Sequence, residues 1–297
     1  MKQASMPASA VFRFAPSPNG MLHLGHAYSA LLNLDSARKL DAKILLRIED
    51  IDTTRCTPAL EDQMLTDLEW IGFEWDETPR RQSEHFDEYR IALDALAKRG
   101  LVYPAALSRM QIRHQIASAN PAWPLDPDGV PLYPATERDA GYPRIKALLA
   151  SGKDHALRLD MTKALLHCGQ PIHWQESGYG PDSQTGKINA DPARWGDVAL
   201  GRKDAPASYH LACVLDDALQ GVTNIIRGMD LFHATSVHRL MQSLLELPAP
   251  DYHHHGLIRS PDGRKLSKSR ADTGLRFLRE AGASQSDIRR MIGLYED

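Results

Sequence analysis

The 297-residue chain is 42% hydrophobic and 25% charged, the balance of an ordinary soluble globular protein with room for one large domain or two modest ones. Its net charge of −3 argues against a globally basic polyanion binder, so a nucleic-acid partner would need a local basic surface. No apolar run is long enough to cross a bilayer and the opening MKQASMPASA has no apolar core, so neither a membrane span nor a secretory leader is expected, and the cytoplasm is the expected location.

In chain order, residues 11–15 predict a short strand. From Gly25, the set Ala27, Ala30, Leu31 and Leu34 has the spacing of a one-sided helix. The compact apolar run 44–48 predicts a buried strand ending in Glu49-Asp50. Leu60, Met64, Leu68 and Ile71 mark a second helix, and Phe86, Tyr89, Leu93 and Leu96 a third. This alternation predicts an α/β fold with a parallel sheet wrapped by helices. Seven prolines then fall between Pro104 and Pro143, and turn-rich sequence continues to about residue 205. Residues 101–205 are therefore expected to form an insertion or second subdomain between two halves of the α/β domain, 1–100 and 206–255. Residues 209–215 and 222–227 predict strands, and Val237, Leu240, Met241 and Leu244 a helix. Residues 256–297 close the chain as a loop and a short helical tail, with nine Lys/Arg against six Asp/Glu. Cys56, Cys168 and Cys213 stand far apart, which argues against a disulfide framework or a cysteine-rich metal site.

Two segments point to chemistry. In RFAPSPNGMLHLGH (13–26) a strand breaks into a turn and opens a helix, where free backbone N–H groups and the helix dipole favour phosphate. Gly20 and Gly25 allow close approach of a nucleotide, Pro16 and Pro18 stiffen the turn, and His23 and His26 can donate to phosphate oxygens. Taken alone, the pair could equally be two solvated histidines at a corner. KLSKS (265–269) is the second segment: Lys265 and Lys268 can clamp a triphosphate, with Ser267 adding a contact, although such a pentapeptide alone also suits a solvated loop.

Together, an early H-x-G-H and a late K-L-S-K-S resemble the class I aminoacyl-tRNA synthetases. FAPSPNGMLHLGHA, LLRIEDIDTTR (45–55) and VLDDALQGVTNIIRGMDL (214–231) resemble the glutamyl and glutaminyl branch. The resemblance implies a Rossmann-like parallel sheet, ATP as co-substrate and Mg²⁺ with its triphosphate. By the same resemblance, Arg227 holds the substrate side-chain carboxylate with Tyr209 and Arg13, Glu49 meets the α-ammonium, and Ala15 and Ser17 shape the pocket floor. Arg47, Asp50, Asp52 and Arg55 are read as a structural ion-pair network; Asp216 and Asp217 stay open.

Only 28 residues follow Ser269, so no anticodon-binding domain is expected. A catalytic core of this length resembles the glutamyl-Q tRNA(Asp) synthetase family. That family activates L-glutamate with ATP, through glutamyl-adenylate, and places it on the queuosine base in the anticodon loop of tRNA(Asp). The resemblance implies L-glutamate and the tRNA(Asp) anticodon stem-loop as partners, and a monomer is expected. A glutamate activator with another acceptor, a conventional tRNA or a carrier, and a catalytically silent glutamate- or RNA-binding paralogue are the alternatives. Family members often carry a Y-P-C-x-C zinc site in the insertion. Here those positions read Tyr103, Pro104, Ala105 and Leu107, with Tyr133 and Glu137 downstream, so zinc is expected to be absent and the subdomain to be held by packing. Asn19 stands where the family usually has Thr. His253, His254 and His255 are read as exposed, or with one ring facing nucleotide, rather than as a metal site.

Overall fold

The computed structural model describes residues 9–119, 123–139, 141–202, 205–258 and 274–295. Ten strands lie in chain order: β1 (Val11–Phe14), β2 (Lys43–Ile48), β3 (Arg80–Arg81), β4 (Val102–Ala105), β5 (Ala156–Leu159), β6 (His173–Glu176), β7 (Gly186–Asn189), β8 (Ala199–Arg202), β9 (Asn224–Gly228) and β10 (Asp251–His255). The larger sheet has the order β3-β2-β1-β9-β10-β6-β7 and is parallel except at the β6–β7 hairpin. A three-stranded antiparallel sheet, β4-β5-β8, stands apart. The strand order turns back at β1, which has β2 on one side and β9 on the other. In open α/β sheets the crevice beyond the carboxyl ends at such a switch point takes ligands.

The helix Leu24–Lys39 forms because Ala27, Ala30, Leu31 and Leu34 make one apolar stripe, and all four are buried. The stripe packs with Phe12, Leu46 and Leu68 into the first core. Each fully buried leucine contributes about 1.5–3 kcal/mol. The helix Gln285–Ile292 adds Ile288 to that core, and Arg289 grips Asp35 with two bonds of 2.9 Å. A second core joins Tyr89, Leu159, Leu200, Leu211 and Leu240 beneath the small sheet. Among the described residues no helix is long and apolar enough to cross a membrane.

Two expectations are corrected. Residues 209–215 are not a strand: the helix Tyr209–Leu219 starts after Ser208 and buries Leu211, Ala212, Val214, Asp216 and Asp217. A short apolar run has no period of its own, and here the surrounding helix decides its state. The three histidines are not exposed either. They lie on β10, flanked by β9 and β6; His254 is fully buried, His255 is buried, and His253 is half-buried. The β6–β7 hairpin, although within 101–205, joins the large sheet where Glu176 pairs with Tyr252.

The insertion is held by polar bonds as well as packing. Glu137 accepts from the Ala106 N–H at 2.7 Å and from the Tyr133 hydroxyl, whose ring lies 3.8 Å beneath the Arg158 guanidinium. Tyr103 donates to Asp197 at 2.7 Å. Zinc does not fit these positions: Ala105 and Leu107 offer no donor, and Glu137's oxygens are engaged.

Candidate active site

β1 runs into the corner at Pro16, whose carbonyl accepts from Glu49 N at 3.0 Å and so ties the ends of β1 and β2 together. His23 caps the helix Leu24–Lys39. Its Nδ1 accepts from Gly25 N at 3.1 Å, and its own N–H donates to His26 Nδ1 at 3.1 Å. A neutral imidazole that accepts at Nδ1 carries its proton at Nε2. The two caps therefore set both rings as Nε2–H donors at a helix N-terminus, with ring centroids 3.9 Å apart. A Cβ on Gly25 would lie 3.0 Å from His23 Cε1, so a larger residue here would press on the capping ring.

Behind the corner lies a layer of buried charge. Asp217 accepts from Arg13 Nε at 3.1 Å and from Arg47 Nη1 at 2.7 Å. Arg47, 0% exposed, also donates to Glu49 at 3.0 Å. Asp216 accepts from Arg80, Gln82 and Tyr89. Burial pushes the Asp217 carboxyl up, but Arg13 and Arg47 outweigh it and hold the group at about 2. Burial wins at Glu49, which stays above the ordinary carboxylate value despite Arg47. Arg13 spends only Nε on Asp217; its two terminal nitrogens have no hydrogen-bond partner among the described residues, and the residue lines the cleft. Arg47, Asp50, Asp52 and Arg55 do not form one network. Arg47 belongs to the buried layer, Asp50 accepts from Ser83, and Asp52 pairs with Arg55 near the surface at 2.7 Å.

Arg227, on β9, is held on every side. Its Nε donates to His254, Nη1 to the Tyr209 hydroxyl and His238 Nδ1, and Nη2 to Thr235 Oγ1 and the Leu231 carbonyl. Four of these five contacts are 3.0 Å or longer. The Tyr209 bond, at 3.2 Å, faces the cleft and is the one an incoming anion can share.

These parts meet in a cavity of ≈ 280 Å³, with Arg13, Ala15, Ser17, His23, Gly25, His26, Glu49, Tyr209 and Arg227 all on its wall. Gly20 lies in the bend just before, outside the lining. A second cavity of ≈ 420 Å³ adjoins it through Ser17, Glu49 and Tyr209 and extends past Asp52, Arg55 and Arg202 toward β8. Lys265, Ser267 and Lys268 lie outside the described residues. The described chain on either side reaches the same place: Leu257 and Ile258 line the first cavity, and Gly274 pairs with His23. Sequence reasoning missed Asp230, Thr235 and His238 and left Asp217 open; of the three histidines read as exposed or with one ring facing nucleotide, His255 lines the first cavity. A helical period over 209–219 would have placed Tyr209, Asp216 and Asp217 on one element.

A family model described as tRNA synthetases class I (E and Q), catalytic domain, matches residues 9–294. The glutamyl-Q tRNA(Asp) synthetase of Rhodobacter capsulatus is 46% identical over 290 residues, 96% of this chain and 100% of that protein. That of Symbiobacterium thermophilum is 37% identical over 93% of this chain and 83% of its own. Among solved structures, a glutamate tRNA ligase from Elizabethkingia meningosepticum, in complex with its amino acid, superposes with a TM-score of 0.71 at 27% identity. The match covers 92% of this chain and 53% of that one, so the chain spans about half the length of that solved structure.

Proposed function

The chain belongs to the class I tRNA synthetase family of the glutamate and glutamine branch, and on that premise we propose that it activates L-glutamate with ATP and transfers it to queuosine in the anticodon loop of tRNA(Asp). The observation that carries the amino-acid half is the cavity itself: Arg13's unclaimed guanidinium fork faces Tyr209, Arg227 and Glu49 across ≈ 280 Å³. Two cationic groups and one carboxylate complement a ligand with carboxylates and an ammonium. The acceptor half is supported by the names of the relatives, which match nearly the whole chain.

The glutamate α-carboxylate oxygen attacks the α-phosphorus of ATP in line; the bond to the bridging oxygen breaks, and pyrophosphate leaves with the electron pair. His23 and His26 donate Nε2–H bonds to the developing charge, helped by the helix N-terminus between them. Lys265 and Lys268, with Ser267, neutralise the departing pyrophosphate. The return of the chain to His23 at Gly274 supports assigning them to this cavity. Gly20 and Gly25 let the nucleotide approach the backbone, and Ala15 and Ser17 form the pocket floor. Positioning supplies much of the remaining rate, and no protein nucleophile is required. In the second step a hydroxyl of the queuosine cyclopentene ring attacks the activated carbonyl, AMP leaves, and the hydroxyl proton passes to solvent or phosphate.

Mg²⁺ arrives on the triphosphate; among the described residues no group of three His, Cys, Asp or Glu side chains is arranged to hold an ion. Residues 101–205, apart from the β6–β7 hairpin, form the inserted subdomain on this reading and face the RNA. On this reading the enzyme works in the cytoplasm, where its tRNA is, and as a monomer. Glutamate-dependent exchange of pyrophosphate into ATP tests the first step. Exchange with glutamate and not glutamine is expected; no exchange, or equal exchange with glutamine, would overturn the assignment.

A further inference from the structure

Arg227 is gripped by a group that the chemistry above does not use. Its Nε donates to His254 Nε2 at 3.0 Å, so that nitrogen must present a lone pair. The other ring nitrogen, Nδ1, lies 2.6 Å from Glu176 Oε2. Every polar contact of the Glu176 carboxylate comes from a donor: the Trp174 indole N–H and the His254 ring at Oε2, and the backbone N–H groups of Gly178 and His254 at Oε1. An ionised carboxylate accepts all four; an amide would turn an NH₂ against two of them. Glu176 and His254 are 1% and 0% exposed, so water does not compete for either. The Thr235 hydroxyl, 3.3 Å from His254 Nε2, meets the same lone pair.

The backbone is built for this contact. A Cβ on Gly178 would lie 2.2 Å from the His254 carbonyl oxygen, so only glycine lets the 176–178 turn press against β10. Burial and Arg227 push the His254 imidazolium down to about 4, and the bonds from His254 and Trp174 outweigh burial at Glu176, which stays below the ordinary value. The ring is therefore neutral and the carboxylate charged near neutral pH.

We propose that Glu176 and His254 are positioning residues for substrate recognition: Glu176 fixes the His254 proton on Nδ1, and the bare Nε2 then holds the Arg227 guanidinium in the plane that reads the amino-acid carboxylate. The inference rests on the glutamate assignment above and deepens it. It also makes β6, a strand drawn from between the two halves of the catalytic sheet, a support of the amino-acid pocket. Without the carboxylate, the ring takes its commoner Nε2–H form, which points a donor at a donor and turns Arg227 away.

Two measurements test this. In pyrophosphate exchange, Glu176→Gln should raise the glutamate KM about tenfold or more while the ATP KM stays within about twofold and kcat within about threefold. A merely structural role would move both KM values together or lower kcat alone. In the unaltered protein, ¹⁵N NMR of the His254 ring should show a protonated Nδ1 and a bare Nε2. An Nε2–H tautomer, an imidazolium, an unmoved glutamate KM, or joint loss of glutamate and ATP affinity would overturn the proposal. Should Glu176→Gln not fold, the tautomer decides. If the unaltered enzyme shows no glutamate-dependent exchange, the function is refuted; if it does, and Glu176→Gln leaves the glutamate KM unchanged, only the positioning role is.

Discussion

Replacing Asp217 by Asn tests the buried charge layer that carries Arg13. Asp217 is 2% exposed and accepts from Arg13 and Arg47, both deep in the protein. Asn keeps the shape and removes the charge. The shift of the carboxyl from 3.8 to about 2 corresponds to about 2–3 kcal/mol of preference for the ionised form in the fold. Arg13 loses its carboxylate partner, while Arg47 keeps Glu49 at 3.0 Å and Asp216 at 3.9 Å. Breaking one member of a buried pair costs about 3–5 kcal/mol, because the remaining charge is left uncompensated. At about 2–4 °C per kcal/mol for a chain somewhat smaller than this one, the melting temperature should fall by about 10 °C. The effect depends on pH with a definite sign. The folded carboxyl lies below its unfolded value, so its stabilisation is complete above about pH 4 and fades as pH falls through about 2. The gap between wild type and Asp217→Asn should therefore narrow on acidification. Urea unfolding at pH 7 and pH 3 measures both quantities. A loss below about 1 kcal/mol at pH 7, or a gap that widens in acid, would refute the electrostatic argument.

Further outcomes follow from the cleft. Arg13→Lys keeps the charge and loses the planar fork, so the glutamate KM should rise about tenfold to a hundredfold, the worth of a charge-assisted bond, with the ATP KM unmoved in pyrophosphate exchange. Glu49 titrates above the ordinary carboxylate value because burial opposes its charge, and it must be anionic to meet an ammonium. The kcat/KM for glutamate should therefore begin to fall at a higher pH than an exposed glutamate would cause, and Glu49→Gln should lose that acid limb while raising KM.

Three of the seven strands of the large sheet, β1, β2 and β9, were legible, because parallel strands buried on both faces carry apolar runs, and their helices carry one stripe each; β3, β6, β7 and β10 carry no such run. Residues 44–48 and the Ala27–Leu34 stripe illustrate the two patterns. The run at 209–215 misled because five consecutive apolar residues fit a buried strand and a buried helix equally. Asp216 and Asp217, directly after the run, lie on the same helix, which buries them against Arg80, Arg13 and Arg47. The corner with His23 and His26 could be located from glycine, proline and imidazole alone, whereas the tautomers follow from backbone caps visible only in three dimensions. The Glu176–His254 contact joins residues 78 positions apart through neighbouring strands, and no local pattern announces such a pair. The zinc-site departure was readable because alanine and leucine have no donor atom; the Glu137–Tyr133–Ala106 bonds were not, since they depend on which side chains the insertion brings together.

The acceptor is the central claim. Radiolabelled glutamate transfer should be measured on tRNA(Asp) carrying queuosine and on the same tRNA with unmodified guanosine at that position, with tRNA(Glu) alongside. Label should appear only on the queuosine-bearing tRNA and remain on its anticodon fragment after nuclease cleavage. Equal labelling with and without queuosine, or label on the 3′-terminal adenosine, would contradict the account.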